Sequence, residues 1–146
     1  MPLPDLKRNG DLPTGVRRAT LEETLARFGG GTRQRRLCAG RLRHVYELAR
    51  RTGHLHRLVV FGSFVTSKPE PNDVDVVLVM TDDFRLESCP PELVGLFDHA
   101  TAQARFGASI FWTRPSVLIS ESLDEFVACW QTKRGGSRRG IVEVIE

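Results

Sequence analysis

Hydrophobic residues recur at two periods along the chain, and the change of period separates predicted helices from predicted strands. From 32 to 51 the apolar positions fall three or four residues apart, which is typical of a helix with one buried face. These apolar positions are Cys38, Leu42, Val45 and Ala49. A helical pattern also covers 90–106 and 121–130, so we expect helices there as well.

Short apolar runs rich in β-branched residues predict strands at 57–61, 74–80 and 108–112. The run from 74 to 80 is apolar on both faces near its end, which favours a central position in a sheet. Because the predicted strands alternate with helices, we expect an α/β fold in which helices flank the sheet.

The two ends of the chain have their own patterns. Proline and glycine among polar residues predict an extended arm over 1–19. Thr20 and Glu23 form a capping-box pattern, which predicts the start of a short helix. The segments 131–134 and 140–145 flank two adjacent glycines, and this arrangement predicts a C-terminal β-hairpin.

Composition limits the class of protein. The 146 residues suffice for a single domain, which we place at 20–146, and 40% hydrophobic with 27% charged residues is ordinary for a globular chain. We expect no membrane partner, because no apolar run approaches the roughly 20 residues of a spanning helix. Three widely spaced cysteines and the lack of a signal-peptide pattern indicate a reducing, cytoplasmic compartment.

Charge is unevenly distributed. The net charge is +3, yet eight arginines lie between 33 and 57 with one acid, and eight acids lie between 70 and 98 with one arginine. One interpretation is a basic surface for a nucleic acid or another acceptor, carried by Arg35, Arg36 and Arg43, beside an acidic pocket. The other is an arginine-rich helix face that is simply solvated.

One segment has the pattern of a chemical site. Gly62 and Ser63 follow a predicted strand, and after nine residues come Asp73 and Asp75 at the start of the next strand. Alternate residues of a strand share a face, so the two carboxylates would lie about 7 Å apart at their backbones. Carboxylates this close repel each other unless a cation such as Mg²⁺ or Mn²⁺ lies between them.

The Gly-Ser turn completes a possible phosphate site. Gly62 would let backbone N–H groups approach a phosphate, the Ser63 hydroxyl would add a donor, and Lys68 could reach a phosphate from the loop. A phosphate cradle facing a carboxylate pair suits metal-assisted phosphoryl or nucleotidyl transfer. The alternative is two solvent-facing aspartates at a strand end beside an ordinary turn.

These residues resemble the signature of the DNA polymerase β-like (minimal) nucleotidyltransferase superfamily. That signature is an apolar residue, Gly, Gly or Ser, a spacer, and Asp-apolar-acid-apolar, which here covers 61–63 and 73–76. Over nearly its whole length the chain resembles small, uncharacterised bacterial proteins of that superfamily. The resemblance implies a small mixed sheet, Gly62 and Ser63 holding a nucleoside triphosphate, and catalytic Asp73 and Asp75 binding two Mg²⁺ ions.

The sequence departs from the superfamily at the third catalytic carboxylate. No Asp or Glu occurs between 99 and 120, and Ser109 stands where the acid is expected on the following strand. Serine brings no charge to fix a metal ion. Two other acids could replace it, Glu143 near the C-terminus or Asp98 on the preceding helix.

Three functions remain open at this point. The first is Mg²⁺-dependent transfer of a nucleoside monophosphate from a nucleoside triphosphate to a hydroxyl of a protein, RNA or small molecule. The second is a catalytically degenerate nucleotide- or metal-binding module that regulates a protein partner, as in a toxin–antitoxin pair. The third is a basic nucleic-acid-binding protein, whose affinity would fall steeply with salt.

Overall fold

A computed structural model describes residues 3–146 of the protein. Its strands are β1 (Val16–Thr20), β2 (Leu55–Phe61), β3 (Val74–Met80), β4 (Ala108–Thr113) and β5 (Ile141–Ile145). Its helices are α1 (Leu21–Phe28), α2 (Arg33–Arg51), α3 (Pro91–Val94), α4 (His99–Phe106) and α5 (Leu123–Cys129). Short 3₁₀ turns connect several of these elements.

The strands form one sheet in the order β1-β5-β2-β3-β4. β1 pairs with β5 in parallel, and β3 pairs with β4 in parallel, whereas β2 runs antiparallel to both of its neighbours. The sheet is therefore mixed, and the predicted α/β class is confirmed.

Residues of β3 alternate between two hydrophobic clusters, one on each face of the sheet. Val76 and Leu78 belong to the larger cluster, which also contains the buried face of α2. Val77 and Val79 belong to the smaller cluster, to which α5 contributes Val127. Since side chains on a strand alternate, Asp75 lies on the same face as Val77, at the end of the sheet where the smaller cluster stops.

The predicted helix over 90–106 is broken into two. α3 passes into a 3₁₀ turn over Gly95–Phe97, and Asp98 then takes an extended conformation with φ −117° and ψ 114°. The Asp98 carboxylate accepts a hydrogen bond from the Thr101 N–H at 3.0 Å and so caps α4. The prediction of one continuous helix is wrong because this cap starts a new one.

The C-terminal hairpin is present in shortened form. A tight turn at 135–136 is held by a bridge between Thr132 and Arg138 and by the Arg139 N–H, which donates to the Gln131 carbonyl at 2.9 Å. The second predicted arm does not return to the first. Instead, β5 enters the sheet between β1 and β2.

The segment predicted as an arm over 1–19 is attached to the domain, with Met1 and Pro2 lying outside the described residues. It ends in β1, an edge strand of the sheet. Before β1, the Gly10 carbonyl accepts a hydrogen bond from Ser67 N–H, and the Leu12 carbonyl accepts one from Gly140 N–H, both at 2.9 Å. This segment therefore joins the loop after β2 to the turn before β5.

Among residues 3–146, no helix combines the length and the apolar character that a membrane span requires.

Candidate functional site

The end of β2 and the start of β3 meet in a close contact. Phe61 is the last residue of β2 and is paired in register with Asp75. Gly62, the next residue, has φ 78° and ψ −165°, a conformation essentially reserved for glycine. A Cβ at this position would lie 2.1 Å from Asp75 Oδ2, so the carboxylate packs directly against the glycine backbone.

Asp73, Asp75 and Ser109 are brought together at the same end of the sheet. Ser109 on β4 is the register partner of Asp75. Its hydroxyl donates to Asp73 Oδ2 at 3.0 Å and accepts from the Gln103 amide, also at 3.0 Å. The structure thus places Ser109 beside both aspartates, with its hydroxyl orienting Asp73.

The carboxylate pair is electrostatically unfavourable without a cation. Burial first, and then the negative charge of Asp73, raise the pKa of Asp75 to about 6, against the opposite effects of the Ser109 hydrogen bond and the positive charge of Arg139. A carboxyl group in this condition gains stability from a proton or from a cation. The site therefore favours binding of a positively charged partner.

The aspartate pair has no third acid beside it within residues 3–146. No group of three His, Cys, Asp or Glu side chains that could hold a metal ion occurs in that range. Asp73 and Asp75 would provide two carboxylates and Ser109 a neutral hydroxyl. A hard cation bound here would rely on substrate oxygens or water for its remaining ligands, as Mg²⁺ often does.

Neither proposed replacement acid lies free at the site. Glu143 is buried on β5 opposite Val59, and its carboxylate accepts hydrogen bonds from Arg57 at 2.5 and 3.1 Å. Asp98 is occupied as the cap of α4. Both expectations for a third carboxylate are therefore wrong, because each side chain already has a structural partner.

A cavity with a volume of about 410 Å³ opens beside Asp75, and aromatic rings form one wall of this cavity. The Trp130 ring lies 4.8 Å from the Phe61 ring and 5.2 Å from the Phe111 ring, measured between centroids. His99 stacks against Phe111 from the α4 side at 5.1 Å. Flat, partly exposed aromatic surfaces of this kind suit a planar ligand such as a nucleobase, with about 1–3 kcal/mol per stacked base.

Basic side chains form another part of the cavity lining, the basic wall. These are Lys133, Arg134 and Arg139, all from the turn before β5. The buried carboxylate of Asp11 holds two of them, with Lys133 Nζ at 2.5 Å from Oδ2 and Arg139 at 3.6 Å from Oδ1. Sequence reasoning missed this wall.

Two residues predicted to bind phosphate lie outside the cavity lining. Ser63 begins a 3₁₀ turn, and its carbonyl accepts a hydrogen bond from the Thr66 hydroxyl at 2.7 Å. Lys68 is exposed on the following loop. Among residues 3–146, the cavity is lined by Gly62 but by neither Ser63 nor Lys68. Asp73 is not part of this lining either, but it lies next to it, bonded to the Ser109 hydroxyl. The structure thus places Gly62 and Asp75 in the cavity lining and Asp73 directly beside them.

Arg35 does not belong to a basic surface, and that prediction is wrong. Only 7% of the residue is exposed, because its guanidinium is enclosed by the loop after β2. It donates hydrogen bonds to four main-chain carbonyls, those of Phe28, Phe64, Thr66 and Lys68. Its role is to hold the loop that leads from Gly62 toward Asp73.

The other two predicted surface arginines differ from each other. Arg36 is exposed on α2. Arg43 is also exposed, but its guanidinium forms an ion pair with Glu22 at 2.8 Å. Of the three arginines predicted to form a basic surface, Arg35 is therefore buried, Arg43 is paired with an acid, and Arg36 is exposed.

The fold and site define a small α/β protein with a cavity that is lined by the Asp75 carboxylate and by aromatic and cationic side chains, with Asp73 next to Asp75. The chain belongs to a family of unknown function (DUF6932), whose model matches residues 4–145. Comparison with curated proteins and with solved structures gave no match.

Proposed function

We propose that this protein binds a nucleoside triphosphate together with Mg²⁺ or Mn²⁺ in the cavity beside Asp75. The observation that carries the proposal is the lining of this cavity, in which Asp75, with Asp73 beside it, is combined with basic and aromatic side chains. Each part matches one part of such a ligand: carboxylates for the cation, basic side chains for the phosphates, and aromatic rings for the base.

The basic wall supports a polyphosphate rather than an uncharged ligand. Lys133 and Arg139 are fixed by Asp11, and Arg134 is exposed at the rim. Because these cations and the Asp75 carboxylate line one cavity, a ligand that carries charges of both signs complements it better than a ligand of one sign. A metal-bound triphosphate has negative oxygens for the arginines and a divalent cation for the aspartates, so it satisfies both walls at once.

Binding is better supported than transfer. Nucleotidyl transfer by two metal ions requires a ligand set that holds the ion next to the attacking hydroxyl. Ser109 occupies the position beside Asp75 where a third acid is expected, and Glu143 and Asp98 are engaged elsewhere. A regulatory, catalytically degenerate nucleotide-binding module is therefore the function that this geometry favours.

Transfer of a nucleoside monophosphate to a hydroxyl is the second candidate. The observation that favours it is the pKa of Asp75, which is raised to about 6 by burial and by Asp73. In this candidate Asp75 acts as the base and does not ligate the metal ion; a carboxylate with that pKa is a stronger base than an ordinary aspartate and could accept the proton of an attacking hydroxyl near neutral pH. Pyrophosphate would be the leaving group.

Thermal unfolding in the presence of each of the four common nucleoside triphosphates tests the proposed binding. With Mg²⁺ or Mn²⁺ and a ligand concentration near one hundred times Kd, we expect a stabilisation of about 2.7 kcal/mol, or roughly 5–10 °C. The variant Asp73→Asn/Asp75→Asn should lose this shift. The variant Glu87→Gln/Glu92→Gln, which removes two exposed acids outside the cavity, should keep it.

Absence of a shift with every nucleotide, or an equal shift in the aspartate double variant, would contradict the site. Release of pyrophosphate from the same mixtures separates the two candidates. A nucleotide that stabilises the protein without pyrophosphate release supports the binding module. Metal-dependent release that requires Asp75 supports transfer.

A further inference from the structure

A second concave surface lies between α2 and α4, and its ionisable side chains are all basic or histidine. The groove has a volume of about 460 Å³. Its ionisable residues are Arg36, Arg41, His44 and Arg105. Within residues 3–146, no Asp or Glu lines it.

These side chains are held in place by the fold. The Arg41 guanidinium lies over Gly107, where an added Cβ would be 2.4 Å from Arg41 Nε. Gly107 has φ 63° and ends α4, so both the backbone conformation and the close approach require glycine there. The Arg105 guanidinium lies 5.2 Å from the Phe106 ring centroid, and His44 packs edge-on against the same ring at 5.6 Å.

The positive charge of this groove is not neutralised by the protein. Over residues 3–146, no carboxylate lies within 4.0 Å of the guanidinium of Arg36, Arg41 or Arg105. Elsewhere on α2 the arrangement differs, since Arg43 pairs with Glu22 and Arg50 pairs with Glu146, each at 2.8 Å. Three arginines converging on one concavity repel one another unless an anion joins them.

The groove adjoins the nucleotide cavity. Gln103 on α4 lines both concavities, and its amide donates to Ser109 beside the aspartates. A chain-like polyanion lying in the groove would therefore bring one end to the cavity. A phosphodiester backbone has evenly spaced negative charges, and guanidinium groups bind its oxygens in bidentate fashion.

We propose that the α2–α4 groove binds the phosphodiester backbone of a single-stranded nucleic acid. Arg36, Arg41 and Arg105 contact phosphates, and the exposed His44 ring, which packs edge-on against the buried Phe106, borders the strand. This site is separate from the carboxylate pair and does not depend on nucleotide binding there. It replaces Arg35 and Arg43 of the predicted basic surface with residues that share one concavity.

Fluorescence anisotropy of labelled single-stranded RNA and DNA, each about 12 nucleotides long, tests the proposal across about 50–200 mM NaCl. The variant Arg36→Gln/Arg41→Gln/Arg105→Gln should weaken binding at least about tenfold and reduce the slope of log affinity against log salt by about two. The control Arg43→Gln/Arg50→Gln removes two arginines of the same helix that already have acidic partners. It should leave the slope unchanged.

The outcomes separate this proposal from the nucleotide site. The Asp73→Asn/Asp75→Asn variant should bind the oligonucleotides as wild type does, even if it binds no nucleoside triphosphate. Single Arg36→Gln is included because Arg36 is exposed, so its effect on the slope remains measurable if the triple variant fails to fold. The proposal is overturned if wild type binds neither oligonucleotide, if the control and groove variants behave alike, or if polyglutamate of equal charge competes as well as RNA.

Discussion

Asp75 Oδ2 occupies the space that a side chain at position 62 would need, since a Cβ on Gly62 would lie 2.1 Å from it. The glycine and the acid of the sequence motif are therefore one structural unit. Because Gly62 has no side chain, the Asp75 carboxylate can lie directly against its backbone, and both residues line the cavity. This contact explains why the turn and the acid occur together without invoking any ligand.

Gly62→Ala is expected to destabilise the protein and displace Asp75. The φ of 78° with ψ of −165° costs a non-glycine residue about 1–3 kcal/mol, and the methyl group would also collide with the carboxylate. We expect a fall in Tm of about 4–8 °C. Gly30→Ala is the control, because Gly30 has an ordinary φ and open space around its Cα. Equal Tm values for the two variants would show that the contact is unimportant.

Asp75→Asn is expected to be more stable than wild type at pH 7 in the absence of divalent cations. Burial and the charge of Asp73 raise the pKa of Asp75 to about 6, so the folded protein holds this proton more tightly than the unfolded chain. The stability that Asp75 contributes is therefore full below about pH 4 and is lost as the pH rises through 6. After allowance for solvent screening, the charged form costs on the order of 1–2 kcal/mol.

The measurement is the difference in free energy of unfolding between Asp75→Asn and wild type from pH 4 to pH 7. We expect the difference to grow with pH and then level off. Adding Mg²⁺ at pH 7 should stabilise wild type and reduce the advantage of the variant, because the cation removes the repulsion that the amide also removes. A difference that does not change with pH would contradict the electrostatic interpretation.

Ser109→Asp should supply the missing third carboxylate. Ser109 is the register partner of Asp75 and donates to Asp73, so an acid there would join both aspartates. Without metal, the third negative charge should destabilise the protein relative to Ser109→Asn, which has the same shape and no charge. With Mn²⁺, the order should reverse, and the affinity for Mn²⁺ should rise by about tenfold.

Titration of thermal stability with Mn²⁺ compares the two Ser109 variants directly. If both give the same midpoint, the side chain at 109 does not face the metal position. Pyrophosphate release from the Ser109→Asp protein would additionally show that a single substitution restores the chemistry that the geometry lacks.

Arg35→Gln should destabilise the protein by about 3 kcal/mol, whereas Arg36→Gln should change stability by less than about 0.5 kcal/mol. The Arg35 guanidinium is buried and donates to the carbonyls of Phe28, Phe64, Thr66 and Lys68. Its loss leaves buried acceptors without donors, while Arg36 is exposed. Urea unfolding midpoints provide the comparison, and similar midpoints would contradict the structural role of Arg35.

The adjacent arginines 35 and 36 also show where sequence reasoning reaches its limit. Both lie in the same basic helix. Arg35, three residues before Cys38, falls on the apolar face of that helix and Arg36 does not, but the periodicity does not show what would enclose a buried guanidinium. Arg35 is buried only because a loop from between β2 and β3 folds over it. By contrast, the start of α1 at Thr20 was predictable, since the cap and its partner Glu23 lie three residues apart.

The candidate site likewise contains residues that the sequence predicts and residues that it does not. Gly62, Asp73 and Asp75 were predictable because strand alternation and a short spacer bring them together. The aromatic wall was not, because Phe61, Phe111 and Trp130 come from β2, β4 and the end of α5 and share no period in sequence. The basic wall depends on Asp11, whose partners lie more than a hundred residues away along the chain.

The sheet order has a consequence for synthesis on the ribosome. β5 lies between β1 and β2, so the two earlier strands join one sheet only after residues 141–145 have emerged. Lys133 and Arg139 are also synthesised long after Asp11, so the ion pairs of Asp11 cannot form before then. The nascent chain therefore exposes unpaired edges of β1 and β2 until β5 has been synthesised, and the basic part of the cavity lining forms only after residue 139 has emerged.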